Sequence, residues 1–430
     1  MQCQMVSVLL LFAAVSFQSQ AQANYDLVLK GGRVIDPKNG LNGVVRDIAI
    51  TGDRVAAVEP SIDASRAKKM VDLSGLTVTP GLIDLHVHAF YTIGNPGAWA
   101  GELSIQPDAH SFRTGVTTMV DAGSAGWRNF EQFRQTVIDR SKTRVLALIN
   151  IAGHGMVSDL TEQGDFSAKA VAALARKHKD VVVGVKSAHY RGPDWTSVDE
   201  AVAAGKSAGI PVMVDFGYFL PERPYWRLVL EHLRPGDIST HAFRAPVPWA
   251  DENTGKLHDY LRKARERGVI FDLGHGGGSF AFRNAIPAIA QGFYPDTIST
   301  DLHDGSMNAQ MQDMPNCMAK CLAMGMPLEA VIRASTWKPA QVIHREAELG
   351  HLSVGAVADI AAWNVESGEF RLADSHGATI PGKTRLRAEV TVRGGKVVWD
   401  HNARTGSDIK RMPARYGVRP GVDAVVLPPH

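Results

Sequence analysis

The chain has 430 residues, 45% of them hydrophobic and 21% charged, so it carries ample apolar surface for a buried core and exceeds a typical single small domain. Lys and Arg number 46 against 44 Asp and Glu, a net charge of +2, which excludes a global attraction to nucleic acid or anionic lipid.

In chain order, Val6 to Phe17 is an apolar run too short to span a bilayer. Polar residues and then Ala21-Gln22-Ala23 follow it, a small-x-small pattern. Residues 1–23 therefore read as a signal peptide cut after Ala23, and the protein as exported, periplasmic or secreted, with no membrane anchor after cleavage. Only Cys317 and Cys321 then remain, which excludes a disulfide-rich scaffold. Their i, i+4 spacing predicts two reduced, buried thiols on one helical face, and a poor zinc site.

Residues 24–79 alternate Val, Ile and Leu in short segments broken by Gly31-Gly32 and Gly52-Asp53, which is hairpin chemistry. The same texture returns in residues 346–404, with strands at Asp359–Trp363, Ala388–Val392 and Lys396–Trp399 around a Gly394-Gly395 turn. The two flanks are expected to form one composite β domain, a small β-sandwich. Residues 80–345 lie between them and alternate apolar strands with helices such as Ala168–Lys177, Val198–Ala208 and Leu257–Arg267. Eight strand-like segments, the first at Leu82–Leu85 and the last at Thr297–Thr300, predict an α/β fold of (β/α)₈ type, a TIM barrel. A doubly wound open sheet is the rival. The tail, 405–430, has no clear periodicity and is expected to wrap the surface or cap a neighbouring subunit.

Several of these strands end in a residue able to hold a metal or move a proton, where a barrel gathers its active site. His86-Val87-His88 is the clearest, because in an extended segment positions i and i+2 point the same way and reach one metal. Lys186 closes Val181–Val185. It reads either as a lysine snorkelling to solvent or as one carboxylated by CO₂, whose two anionic oxygens bridge two metals. Asp301 reads as a proton carrier touching metal and water, or as a helix N-cap, or both. Asp215, His241 and His275 end strands five, six and seven. Gly276-Gly277-Gly278 allows close backbone approach, and with no Lys-Ser/Thr after it is not a phosphate loop.

Val78-Thr-Pro-Gly-Leu-Ile-Asp-Leu-His-Val-His88, Val181-Val-Val-Gly-Val-Lys186, Thr300-Asp301 and the return from Gly350 to Ile360 together resemble the amidohydrolase superfamily over nearly the whole mature chain. Arg267–Gly276 and Phe293–His303 are similar to its dihydroorotase-related, deacetylase-type branch. The resemblance implies two divalent metal ions, usually Zn²⁺. It implies His86, His88 and Asp301 on the more buried ion, His241 on the other, a carbamate on Lys186 bridging them, and His275 facing substrate. The departure is strand five, where the pattern offers a histidine and this chain has Asp215, kept here as a ligand. His189 is within reach of the same pocket.

The implied activity is hydrolysis of an ester or amide of a small acylated molecule, with Asp301 as general base and acid. A cyclic amide or lactam hydrolase is the alternative, followed by a deaminase and by a non-catalytic metal-binding relative. A homo-oligomer is compatible with this reading.

Overall fold

Alternating apolar residues in the two flanks pair with one another across the intervening chain. The computed structural model describes residues 25–90, 103–156 and 165–423; the expected signal peptide lies outside them. The first flank holds β1 (Leu27–Asp36), β2 (Leu41–Thr51), β3 (Arg54–Glu59), β4 (Met70–Asp72) and β5 (Thr77–Pro80). The central region contributes β6 (Leu82–Val87), β7 (Val116–Gly126), β8 (Arg144–Asn150) and β9 (Val182–Ala188). It continues with β10 (Val212–Asp215), β11 (Ile238–Ser239) and β12 (Ile270–Phe271). The second flank adds β13 (Ile360–Ala373), β14 (Thr379–Arg393) and β15 (Lys396–Asp400).

Hydrogen bonding joins the flanks into one eight-stranded sheet, ordered β15-β14-β13-β5-β1-β2-β3 with β4 beside β1. Where the sequence suggests a sandwich of two sheets, the described residues give one. The turn expected at Gly31-Gly32 is also replaced: β1 runs straight through, with a bulge against β2 between Leu29 and Gly32. The Asp47 carboxylate accepts the Gly31 N–H at 2.8 Å, and a Cβ on Gly32 would collide with Val78. Glycine here serves a bulge under a close neighbour.

The central strands form a second, wholly parallel sheet in chain order from β6 to β12. Helices Ala168–Lys177, Thr196–Ala208 and Asp259–Glu266 fall within two residues of the expected spans. One apolar cluster takes Ile83, Leu85, Val120, Leu148, Val183, Met213, Ile238 and Ile270, residues from all seven strands including both edges. The expected eighth strand, Thr297–Thr300, makes one isolated parallel bridge, Asp272 with Thr297, and Leu302 just beyond it makes another with Val87, so the segment from Thr297 to Leu302 touches both edges without forming a regular strand. Cys317 and Cys321 are free and buried in helix Met314–Ala323, and burial pushes the Cys321 thiol up to about 12. Among the described residues no helix is long and apolar enough to cross a membrane.

The two sheets lock together at Trp363. Its indole is fully buried and donates to Thr79 Oγ1 at 2.9 Å. Gly115, just before β7, sits at φ +73°, and a Cβ there would run into the indole ring. Gly115→Ala is therefore expected to lower stability by roughly 2–4 kcal/mol, from clash and left-handed strain together. Urea unfolding measures this, and an unchanged midpoint would contradict it.

Candidate metal centre

Each candidate side chain sits in, at the end of, or just past a parallel strand. His86 and Lys186 lie in β6 and β9, Asp215 ends β10, and His88 and His241 lie just beyond β6 and β11. Asp301 lies in the bridging segment. β6 carries one extra residue against β7 between Asp84 and Val87. Across this bulge the chain changes over: Ile83 and Leu85 pack in the shared apolar cluster, whereas His86 and His88 face Asp301.

Asp301 Oδ1 lies 3.4 Å from His86 Nε2 and 3.2 Å from His88 Nε2. Ligand atoms around a tetrahedral zinc with roughly 2.05 Å bonds stand about 3.3 Å apart, so these three groups already have the spacing of a shared ion. They are also a buried cluster whose ligand atoms all lie within 4.8 Å of one another.

The tautomers suit this role. His86 Nδ1 meets Thr240 Oγ1 at 3.0 Å, and the Thr240 hydroxyl donates to Asp272 Oδ2 at 2.7 Å. With that hydrogen engaged, His86 Nδ1 is the donor and Nε2 keeps its lone pair for the site. His88 Nδ1 meets Ser124 Oγ at 2.9 Å, and His241 Nδ1 donates to the Gly274 carbonyl. Metal-binding histidines are commonly oriented through the other ring nitrogen in this way.

Electrostatics follow burial. Burial and the neighbouring Lys186 hold the His86 imidazole well below its usual range, hence neutral and a lone-pair donor. Burial alone would raise the Asp301 carboxyl, but His86, His88, His303 and His241 outweigh it and hold it well below the carboxylate range. Lys186 is fully buried, its Nζ 3.1 Å from His86 Nε2. That placement rules out the snorkelling lysine.

Asp215 and His241 form the neighbouring corner. Asp215 Oδ2 is 3.1 Å from His241 Nε2 and 2.9 Å from His189 Nε2, while Arg244 Nη1 donates to Oδ1 at 2.8 Å. Burial would raise Asp215, yet Arg244, His241 and His189 hold it well below its usual range. Burial would lower His189, and the Asp215 carboxylate raises it instead. His241 Nε2 also lies 3.8 Å from Asp301 Oδ2, which joins the two corners.

A cavity of about 370 Å³ opens onto His88, His189, Asp215, His241, Arg244 and Asp301. His275 does not line it. This ring is fully buried, donates from Nδ1 to the Gly276 carbonyl at 2.9 Å, and accepts at Nε2 from Lys320 Nζ at 2.7 Å. Burial and Lys320 push its pKa down to about 3. The expected substrate-facing histidine is thus a support for its own loop. Of the triple glycine, Gly277 and Gly278 line the cavity, where backbone can approach a ligand closely, and Gly276 has a different role. A Cβ on Gly276 would stand 2.5 Å from Asp301 Oδ2, so that glycine admits the carboxylate itself.

The sequence profile of the amidohydrolase family matches residues 279–398. A deacetylase of Agrobacterium fabrum is 33% identical over 365 residues, covering 82% of this chain and 86% of its own.

The chain belongs to the amidohydrolase family.

Two solved structures agree. One described as an adenine deaminase aligns with a TM-score of 0.79 and 30% identity over 88% of this chain and all of its own. One described as a dihydroorotase gives 0.74 and 31%, over 87% and 97%. This amidohydrolase is a metal-dependent hydrolase, and its His86-His88-Asp301 cluster is the site that suits the metal.

Sequence reasoning passed over His303, which lines the cavity 4.0 Å from Asp301 Oδ2, and Arg244. His303 stands two residues past Asp301, a spacing like that of the first pair and a usable signal. The Thr240–Asp272 support has none, because the contact spans 32 residues. Removing that support with Thr240→Val should leave the fold intact and weaken metal binding by about 10–100-fold. Competition against a chromogenic chelator reads the affinity, and wild-type retention would show the hydroxyl to be idle.

Proposed function

We propose that this amidohydrolase cleaves the acyl bond, amide or ester, of a small acylated molecule at a two-metal site, with Asp301 moving the proton. The observation that carries the reading is Asp301 itself. Oδ1 faces His86 and His88, while Oδ2 faces His241 and His303 on the cavity wall. His86, His88 and Asp301 would hold one divalent cation, His241 and Asp215 the other, and Zn²⁺ suits such nitrogen and oxygen donors. When bound, the cations supply Lewis acidity to the scissile carbonyl and to water.

Asp301 takes the proton of the attacking water and delivers it to the leaving nitrogen or oxygen. Its carboxylate is ionised at rest and so open to a proton, and its place on the cavity wall gives it both partners in turn. Lys186 in its neutral form would add through Nζ to CO₂; an N–C bond forms as one C=O π bond opens, one proton passes to solvent, and the carbamate offers two oxygens that share one negative charge. Its burial beside His86 supports this, since the change from cation to anion relieves a crowd of basic groups. The two isolated bridges of the Thr297–Leu302 segment support reading the parallel sheet as a closed (β/α)₈ barrel, with the site at its C-terminal mouth.

The deacetylase relative supports a small acyl group, as in an N-acyl amino acid or O-acyl hydroxy acid. The neighbour described as a dihydroorotase favours a second reading, a cyclic amide.

Turnover of acylated amino acids, hydroxy acid esters and lactams decides between them. Asp301→Asn should reduce kcat by about 10²–10⁴-fold on whichever substrate is found, and near-wild-type turnover would refute the proton role. Chelation should abolish activity. Reloading the stripped protein with zinc should restore it faster with bicarbonate than in CO₂-free buffer; equal recovery would refute the carbamate.

A further inference from the structure

The second metal corner lacks the histidine that the resemblance leads one to expect from strand five. Asp215 stands in its place, and one carboxylate is a smaller ligand on a shorter arm. A side chain from the next strand-end loop lies against it. His189 follows Lys186 by three residues, beyond the end of β9. Its Nε2 lies 2.9 Å from Asp215 Oδ2, and His241 Nε2 lies 3.1 Å from the same oxygen.

Three further observations show that this corner is built. His189 is held at φ +55°, the left-handed region that non-glycine residues rarely occupy. Gly217 gives it room: a Cβ there would stand 2.8 Å from His189 Cδ2. Arg244 holds Asp215 Oδ1, which fixes the carboxylate with Oδ2 turned to the two imidazoles. Both separations from the Asp215 oxygen are close to the roughly 3.3 Å edge of a tetrahedral zinc site; unlike the atoms around Asp301, the three are not all within 4.8 Å of one another, so the two imidazoles must turn toward each other to share an ion.

We propose that His189 is the imidazole ligand that replaces the missing strand-five histidine, so that His189, Asp215 and His241 together hold the second cation. This rests on the two-metal reading above and adds to it a ligand set of two nitrogens and one anionic oxygen. Compared with two neutral imidazoles, the carboxylate adds one negative charge and favours a harder ion. The second position should therefore accept Mn²⁺ or Co²⁺ more readily than a two-histidine position would.

The test is metal stoichiometry on the full chain, by elemental analysis after dialysis, with Co²⁺ titration followed by visible absorption. The wild type should bind two ions. His189→Ala should keep one tightly bound ion and weaken the second by at least about 10-fold, with an unchanged circular dichroism melt. The double variant Asp215→His with His189→Ala restores a histidine to strand five and should regain the second ion. Two ions bound with wild-type affinity by His189→Ala would overturn the His189 assignment and leave the two-metal reading standing. One ion in the wild type would overturn both.

Discussion

Basic side chains crowded into a mostly buried site need anions among them. His86, His88, His189, His241 and Lys186 all bear on one small volume. Removed from water, such groups lose solvation and repel one another once protonated. Asp301 and Asp215 answer this, each with one oxygen facing two imidazoles. Because the carboxylates stay ionised and His86 neutral, the lone pairs and negative charge face inward together. That arrangement is what a divalent cation requires, and the surrounding architecture serves to hold it.

Holding it takes backbone distortion. Among the described residues eight non-glycines adopt positive φ, and three of them are His189, His241 and Asp301. Each such residue costs about 1–3 kcal/mol, and it persists only when its surroundings leave no alternative. Here the surroundings are a buried parallel sheet and glycines that give way. Gly274 makes room for Thr240 and His241, Gly276 for Asp301, and Gly123 for the Lys186 stem. A side chain at any of the three would push a ligand or its support out of place.

The flanking sheet takes part as well. At the tip of the β13–β14 hairpin, Asp374 accepts the Phe282 N–H at 3.0 Å and Ser375 donates to the Gly276 carbonyl at 3.3 Å. From the other side, Lys320 on helix Met314–Ala323 bonds His275. The glycine loop beside Asp301 is thus braced by the flank sheet and by a buried lysine–histidine pair. The two sheets act on the site as one scaffold although they come from different stretches of chain.

Periodicity and local chemistry were enough to read much of this from the linear chain. Continuous apolar runs bounded by helices marked seven strands of the parallel sheet, because burial on both faces leaves a pattern within each run. The His86-Val87-His88 pair was legible because i, i+2 geometry is local, and Asp301 because it ended such a run. What long-range contact decides was not legible. The bulge that turns the histidine pair inward, the Thr240–Asp272 brace, the retreat of His275 behind Lys320 and the approach of His189 to Asp215 each depend on residues distant in sequence. Strand patterns specify which residues end a strand; only the packed structure decides which of those ends meet, since hydrogen-bond and charge partners are chosen across space and not along the chain.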